Sequence, residues 1–259
     1  MPFVQANGVR LSYRLDGAPE APLLMLSNSL GTALAMWDSQ LAEFAKRFRV
    51  LRYDSRGHGG CEVAPGPYRI DDLGRDALAL LDAVGVDRVR FCGLSMGGMV
   101  GMWLGSNAAE RIERLVLCNT SAQIGTPELW NSRIEMVRGG GMEAVTPAVL
   151  ERWFTSGFRA RAPQAVEKVR RMLLATPPEG YAACCAAIRD MNQLETIRSI
   201  RAPTLVVAGT HDIATPPASA REIAGRVPSA ALVELEAAHL SNIEAADQFT
   251  AAVLDFLDR

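Results

Sequence analysis

The sequence predicts an α/β fold built on a mostly parallel central sheet, and three observations carry that reading. Short apolar runs recur along the chain, several of them continuous, as expected of strands covered on both faces. Helical patterns stand between these runs, and such alternation calls for right-handed crossovers. One stretch of about eighty residues, 121–200, then breaks the alternation with helical patterns alone.

Taken in order, Phe3–Ala6 and Val9–Leu15 flank Asn7-Gly8, a pair suited to a tight hairpin turn. The next strands are expected at Leu23–Leu26, Val50–Tyr53, Val89–Cys92, Leu115–Cys118, Leu205–Ala208 and Leu232–Leu235. Helices are expected over Trp37–Phe48, Ile70–Val84, Met96–Ala108, Ser219–Val227 and Ala245–Leu257. Residues 1–120 and 201–259 then form the core. Residues 121–200, punctuated by Pro127, Gly139-Gly140-Gly141, Pro147, Pro163 and Pro177-Pro178, read as an inserted helical lid. The plain alternative is a set of ordinary crossover helices, which their number disfavours.

Composition narrows the function classes. With 259 residues and 49% apolar content, the chain can bury a large core. Its 27 basic and 29 acidic residues leave a net charge of −2, without the basic surplus that nucleic acid demands. Only Lys46 and Lys168 are lysines, an arginine bias read as genome composition. No apolar run reaches a bilayer span of about 18–20 residues, and Met1–Gln5 carries no leader pattern. Five cysteines, Cys61, Cys92, Cys118, Cys184 and Cys185, form no CxxC pair, which points to reduced thiols and a cytoplasmic setting. His58, His211 and His239 are scattered and offer no metal-ligand spacing. No cofactor fingerprint is visible, and the expectation is a monomer or small homo-oligomer.

The sharpest motif is Gly93-Leu94-Ser95-Met96-Gly97, directly after an apolar strand and before a helix. A serine on so tight a turn needs small neighbours, and Gly93 and Gly97 supply them. Gly98 and Gly101 let the following helix approach the sheet. Ser95 then sits at a helix N-terminus, where developing negative charge is favoured. A serine nucleophile needs a base. Two later strand ends offer candidates, Gly209-Thr210-His211-Asp212 and Ala237-Ala238-His239, on the same sheet edge. Asp212 can orient His239, and His239 can take the Ser95 proton. His211 precedes the acid and is expected to point away. The oxyanion donors are assigned to the N–H of Met96 and to the N–H of Leu30, in the loop Ser27-Asn28-Ser29-Leu30-Gly31. Asp54-Ser55-Arg56-Gly57-His58 reads as a structural loop supporting that turn, with Asp54 capping or pairing with Arg56.

GLSMGG, YDSRGHG, GTHD and AAHLSN together resemble the α/β-hydrolase fold over essentially the whole chain. Residues outside these motifs are similar to those of the 3-oxoadipate enol-lactonases: Ser27–Thr32, Trp130–Arg133, Arg152–Thr155, Glu179–Tyr181, Ala186–Asp190 and Ala238–Asn242. The resemblance implies hydrolysis of the enol-lactone to 3-oxoadipate in the protocatechuate branch of aromatic catabolism. Some relatives carry a fused decarboxylase domain, and that activity is expected to be absent here. Asn28-Ser29 stands where many hydrolases have His-Gly, so generic rules for that loop do not transfer. A serine nucleophile, rather than Asp or Cys, argues against dehalogenases, epoxide hydrolases and dienelactone hydrolases. Other serine hydrolases of the fold, such as carboxylesterases, carbon–carbon bond hydrolases and perhydrolases, remain the alternative.

A lactone of this class carries a carboxylate, so the lid should present a cation. On a helix over Pro127–Arg138, steps of about 100° gather Met136, Leu129, Arg133, Val137, Trp130 and Ile134 on one face. Arg133 falls inside this apolar stripe, where an unpaired cation is costly and favours an anion. A salt bridge within the lid or snorkelling to solvent are the competing explanations. Trp130 and Trp153 are candidate walls of the same pocket, and Arg189 and Arg152 are the next cations in line.

Overall fold

The computed structural model describes residues 2–228 and 230–259; Met1, part of the leader reading, lies outside them. Asn7 and Gly8 both take positive φ, 47° and 77°, and close the hairpin between β1 (Phe3–Ala6) and β2 (Val9–Asp16). Then come β3 (Leu23–Ser27), α1 (Asp38–Phe44), β4 (Arg49–Tyr53), α2 (Ile70–Ala83) and β5 (Val89–Leu94). They are followed by α3 (Met96–Asn107) and β6 (Ile112–Cys118). The first expected helix is therefore shorter: Leu34–Trp37 is a 3-10 turn and the α-helix ends at Phe44.

No strand lies between β6 and β7 (Thr204–Gly209) among the described residues. That interval holds α4 (Pro127–Gly140), α5 (Thr146–Trp153), α6 (Ser156–Arg161), α7 (Pro163–Ala175) and α8 (Pro178–Arg189). Pro127, Pro147, Pro163 and Pro178 each stand in the first turn of a helix, where a missing N–H costs nothing. The chain closes with α9 (Pro217–Arg226), β8 (Ala230–Leu235), α10 (Ser241–Glu244) and α11 (Ala246–Leu257).

The eight strands run in the order β1-β2-β4-β3-β5-β6-β7-β8. Pairings of β1 with β2 and β2 with β4 are antiparallel, and every later pairing is parallel. β3 and β7 are buried along their whole length, which explains their unbroken apolar runs. Order reverses across β3, β4 and β5, so the loops after β3 and β5 meet at the switch point.

Two glycine contacts set the site's dimensions. A Cβ on Gly97 would stand 2.1 Å from the Ser27 carbonyl oxygen, so only glycine lets α3 reach the β3 loop. A Cβ on Gly180 would stand 2.1 Å from the Gly57 carbonyl oxygen, so α8 rests directly on the loop after β4.

Candidate active site

Ser95 occupies the turn between β5 and α3 with φ 58° and ψ −116°, a strained conformation for a residue with a Cβ. The strain is over-determined. Its N–H donates to the Cys118 carbonyl at 2.9 Å, and its own carbonyl accepts from Thr120 Oγ1 at 2.7 Å and the Met99 N–H at 3.0 Å. The hydroxyl faces a cavity of about 260 Å³ lined also by Leu30, His239, Arg133, Trp130 and Trp153. Grooves of about 650 and 680 Å³ lie elsewhere, but neither is lined by Ser95 or His239, so size does not choose the site.

His239 Nδ1 lies 2.8 Å from Asp212 Oδ2, deep inside the protein, which leaves Nε2 to act as base. Asp212 also accepts from the Ala214 and Thr215 amides at 2.8 and 2.9 Å, from Thr215 Oγ1 at 2.7 Å and from Asn119 Nδ2 at 3.0 Å. Burial alone would raise its pKa, but the His239 ring and these donors outweigh that and hold the carboxyl below its usual range. No hydrogen bond joins Ser95 Oγ to the His239 ring among the described residues; such bonds commonly tighten only when substrate is seated. Trp153 packs its ring 5.9 Å from that of His239, and its carbonyl accepts the Leu240 N–H at 3.2 Å, joining α5 to the histidine loop. Glu244 makes a second such link, accepting from the Ala238 N–H at 3.1 Å and the Thr155 N–H at 3.2 Å.

The oxyanion candidates are backbone groups. Neither the Leu30 nor the Met96 N–H has an internal acceptor among the described residues. The adjacent Gly31, at φ 79°, gives its N–H to His58 Nε2 at 2.9 Å, while Nδ1 of that ring meets the Arg56 carbonyl at 3.2 Å. His58 is fully buried, and burial pushes its pKa down to about 4, so it stays a neutral prop for the turn. His211 is exposed and pairs with Glu236, turned away from the triad.

One pairing differs from the expectation. Asp54 does not take Arg56. It accepts the Leu34 and Gly60 N–H groups at 2.7 and 2.9 Å, while Arg56 pairs with Asp76 on α2. Neighbours in sequence are turned apart at this loop, and α2 brings the carboxylate that a buried guanidinium needs.

Arg133 and Arg152 both line the cavity, half-buried, and neither has a carboxylate partner among the described residues. The Arg133 guanidinium lies 5.0 Å above the Trp130 ring, whose indole N–H donates to the Ile124 carbonyl. Burial, then the neighbouring Arg133, lowers the pKa of Arg152. Arg189 is held outside by Asp190 and Asn131. On α4 only Trp130, Ile134 and Val137 of the expected apolar face are buried, while Leu129 and Met136 are exposed. Arg152 therefore lines the cavity beside Arg133, and Asn119 stands behind Asp212 as a hydrogen-bond donor. A polar residue directly after the β6 apolar run, on the catalytic sheet edge, was the available signal for Asn119.

The alpha/beta hydrolase fold family matches residues 22–246. The chain belongs to the α/β-hydrolase family. This hydrolase is 40% identical to 3-oxoadipate enol-lactonase 2 of Acinetobacter baylyi, over 96% of its own length and 93% of the relative's. It is 35% identical to 3-oxoadipate enol-lactonase 1 of the same organism, over 94% and 91% of the two chains. The crystal structure of an enol-lactonase from Burkholderia xenovorans superposes with a TM-score of 0.98 at 48% identity, covering both chains completely. No helix among the described residues is long and apolar enough to cross a membrane.

Proposed function

We propose that this hydrolase opens the enol-lactone of 3-oxoadipate, giving 3-oxoadipate in the protocatechuate branch of aromatic catabolism. The observation that carries the reading is the pair of guanidiniums without carboxylate partners, Arg133 and Arg152, in the cavity that holds Ser95 and His239. Two such cations beside a nucleophile favour an anionic ester over a neutral one.

Ser95 Oγ attacks the lactone carbonyl while His239 Nε2 takes its proton, and Asp212 stabilises the imidazolium. The Leu30 and Met96 N–H groups hold the oxyanion. Collapse breaks the ring C–O bond, and His239 returns the proton to the enol oxygen, which tautomerises to the ketone. Water, deprotonated by His239, then attacks the acyl-enzyme. His239 passes that proton to Ser95 Oγ as the acyl C–O bond breaks, and the acid, which keeps the water's other hydrogen, ionises to solvent and is released as the carboxylate. Every step uses side chains and backbone N–H groups, with no cofactor.

Residues 121–200 act as the lid over a core of residues 1–120 and 201–259, with Trp130 and Trp153 as walls of the substrate pocket. The five free, buried thiols support a cytoplasmic setting, as a monomer or small homo-oligomer. The test is a direct assay of enol-lactone hydrolysis against a panel of neutral p-nitrophenyl esters, with Ser95→Ala as control. Efficiency at least a hundredfold higher on the anionic lactone supports the proposal. A preference for neutral esters would make the protein a carboxylesterase instead.

A further inference from the structure

Ser29 carries a hydroxyl with no use in the fold. The residue is 1% exposed, and Ser29 Oγ has no hydrogen-bond partner among the described residues. Its backbone is fully committed: the N–H meets Met36 Sδ at 3.3 Å, and the carbonyl accepts from the Thr32 N–H and Thr32 Oγ1 at 3.1 and 2.7 Å. Ser29 lines the catalytic cavity beside Ser95. A buried, unpaired hydroxyl costs stability, and alanine would fill the same space without that cost.

We infer that Ser29 Oγ–H is a third oxyanion donor, acting on the ester carbonyl oxygen together with the Leu30 and Met96 N–H groups. Two features select that oxygen. Ser29 directly precedes Leu30 in the β3 loop, and both residues line the cavity, so its side chain is the nearest in sequence to that backbone donor. The substrate carboxylate is claimed by Arg133 and Arg152, which belong to the helical insertion and not to this loop. A tetrahedral oxyanion has three lone pairs, and a preorganised third donor strengthens as its charge develops. Ser29 is thus a catalytic residue that holds no proton in transit; it donates one hydrogen bond and keeps its hydrogen.

This rests on the serine-hydrolase reading, so the experiment separates the two. Wild type and Ser29→Ala are first titrated with a fluorophosphonate, then assayed on p-nitrophenyl acetate and on the anionic enol-lactone. Stoichiometric labelling of Ser95 in both is expected. In Ser29→Ala, kcat should fall about 10- to 100-fold on both substrates, with KM nearly unchanged. Inhibition by phenylboronic acid, which places an anionic oxygen in the hole, should weaken in parallel. The thermal midpoint should stay level or rise. Ser29→Cys, of similar size and with a weaker donor, should fall between the two and serves if alanine disturbs folding. An unchanged kcat in a folded, labelled variant overturns the inference, as does a loss confined to KM for the anionic substrate. Wild-type enzyme that resists labelling would overturn the serine-hydrolase reading itself.

Discussion

Asn119 and Asp212 stand 93 positions apart in sequence, yet the Asn119 amide donates to the Asp212 carboxylate at 3.0 Å. Asn119 itself is pinned at φ 43°, its N–H given to the Val207 carbonyl and its Oδ1 accepting from Ser241 Oγ. The Asp212 carboxylate is therefore aimed from the neighbouring strand end. Asn119→Leu keeps the size and removes this bond together with those to the Ala238 carbonyl and from Ser241 Oγ, so folding is checked first. Loss of one charge-assisted hydrogen bond, about 1.5–3 kcal/mol, corresponds to roughly a 10- to 150-fold drop in kcat/KM. Steady-state kinetics on a folded variant checks this, and an unchanged kcat would make Asn119 a packing residue only.

The two histidines near the acid should behave oppositely. His239→Ala removes the base and should lower kcat by several orders of magnitude. His211→Ala breaks only an exposed pair with Glu236 and should leave activity within about twofold. Side-by-side rates decide it, and the reverse ranking would exchange their roles.

Substrate charge should be read by Arg133 and Arg152. Removing either should cost about 1.5–3 kcal/mol on the anionic lactone, roughly 10- to 150-fold in efficiency. Hydrolysis of a neutral ester should change far less. Arg133→Lys should recover only part, because an ammonium lacks the planar fork and stacks less well on Trp130. The measured quantity is the anionic-to-neutral efficiency ratio. If it holds constant in both alanine variants, the carboxylate is bound elsewhere.

Stability should weaken on mild acidification through His58. Unfolded, the ring takes a proton near pH 6.5; folded, it resists protonation until about pH 4. The unfolded state therefore binds more protons in that window, and stability is lost as pH falls from 6.5 towards 4. The full span corresponds to about 3 kcal/mol. Burial raises the pKa of both Asp54 and Asp76, which works in the opposite direction as pH falls, so the comparison must be made against His58→Asn. Urea unfolding at several pH values should show the steeper decline in wild type. Parallel curves would refute the assignment.

What the sequence revealed follows the range of the interactions concerned. The turn around Ser95 was readable because its requirements, a strand, small residues and a helix, all lie within a dozen positions. Asp212 and His239 were readable because each follows an apolar strand, and parallel strands deliver their ends to one edge. Partners set by packing between distant elements were not. Arg56 finds Asp76 rather than Asp54 because α2 is docked there. Leu129 and Met136 share a wheel face with buried residues, but α8 and its neighbours cover only part of that face. Whether Arg152 or Arg189 faces the cavity depends on the tilt of short helices, which periodicity does not encode.

The contact between Gly57 and Gly180 has a mechanical consequence. With backbone against backbone, nothing compressible lies between α8 and the loop that carries His58. That point is a stop: α8 cannot sink closer to the loop that carries His58 without a clash of backbone on backbone. Adaptive changes of specificity are then channelled to α4 and α5, whose side chains Arg133 and Arg152 line the cavity. Substrate preference can drift there by single replacements while the spacing behind the Gly31 turn, which His58 supports, stays constant.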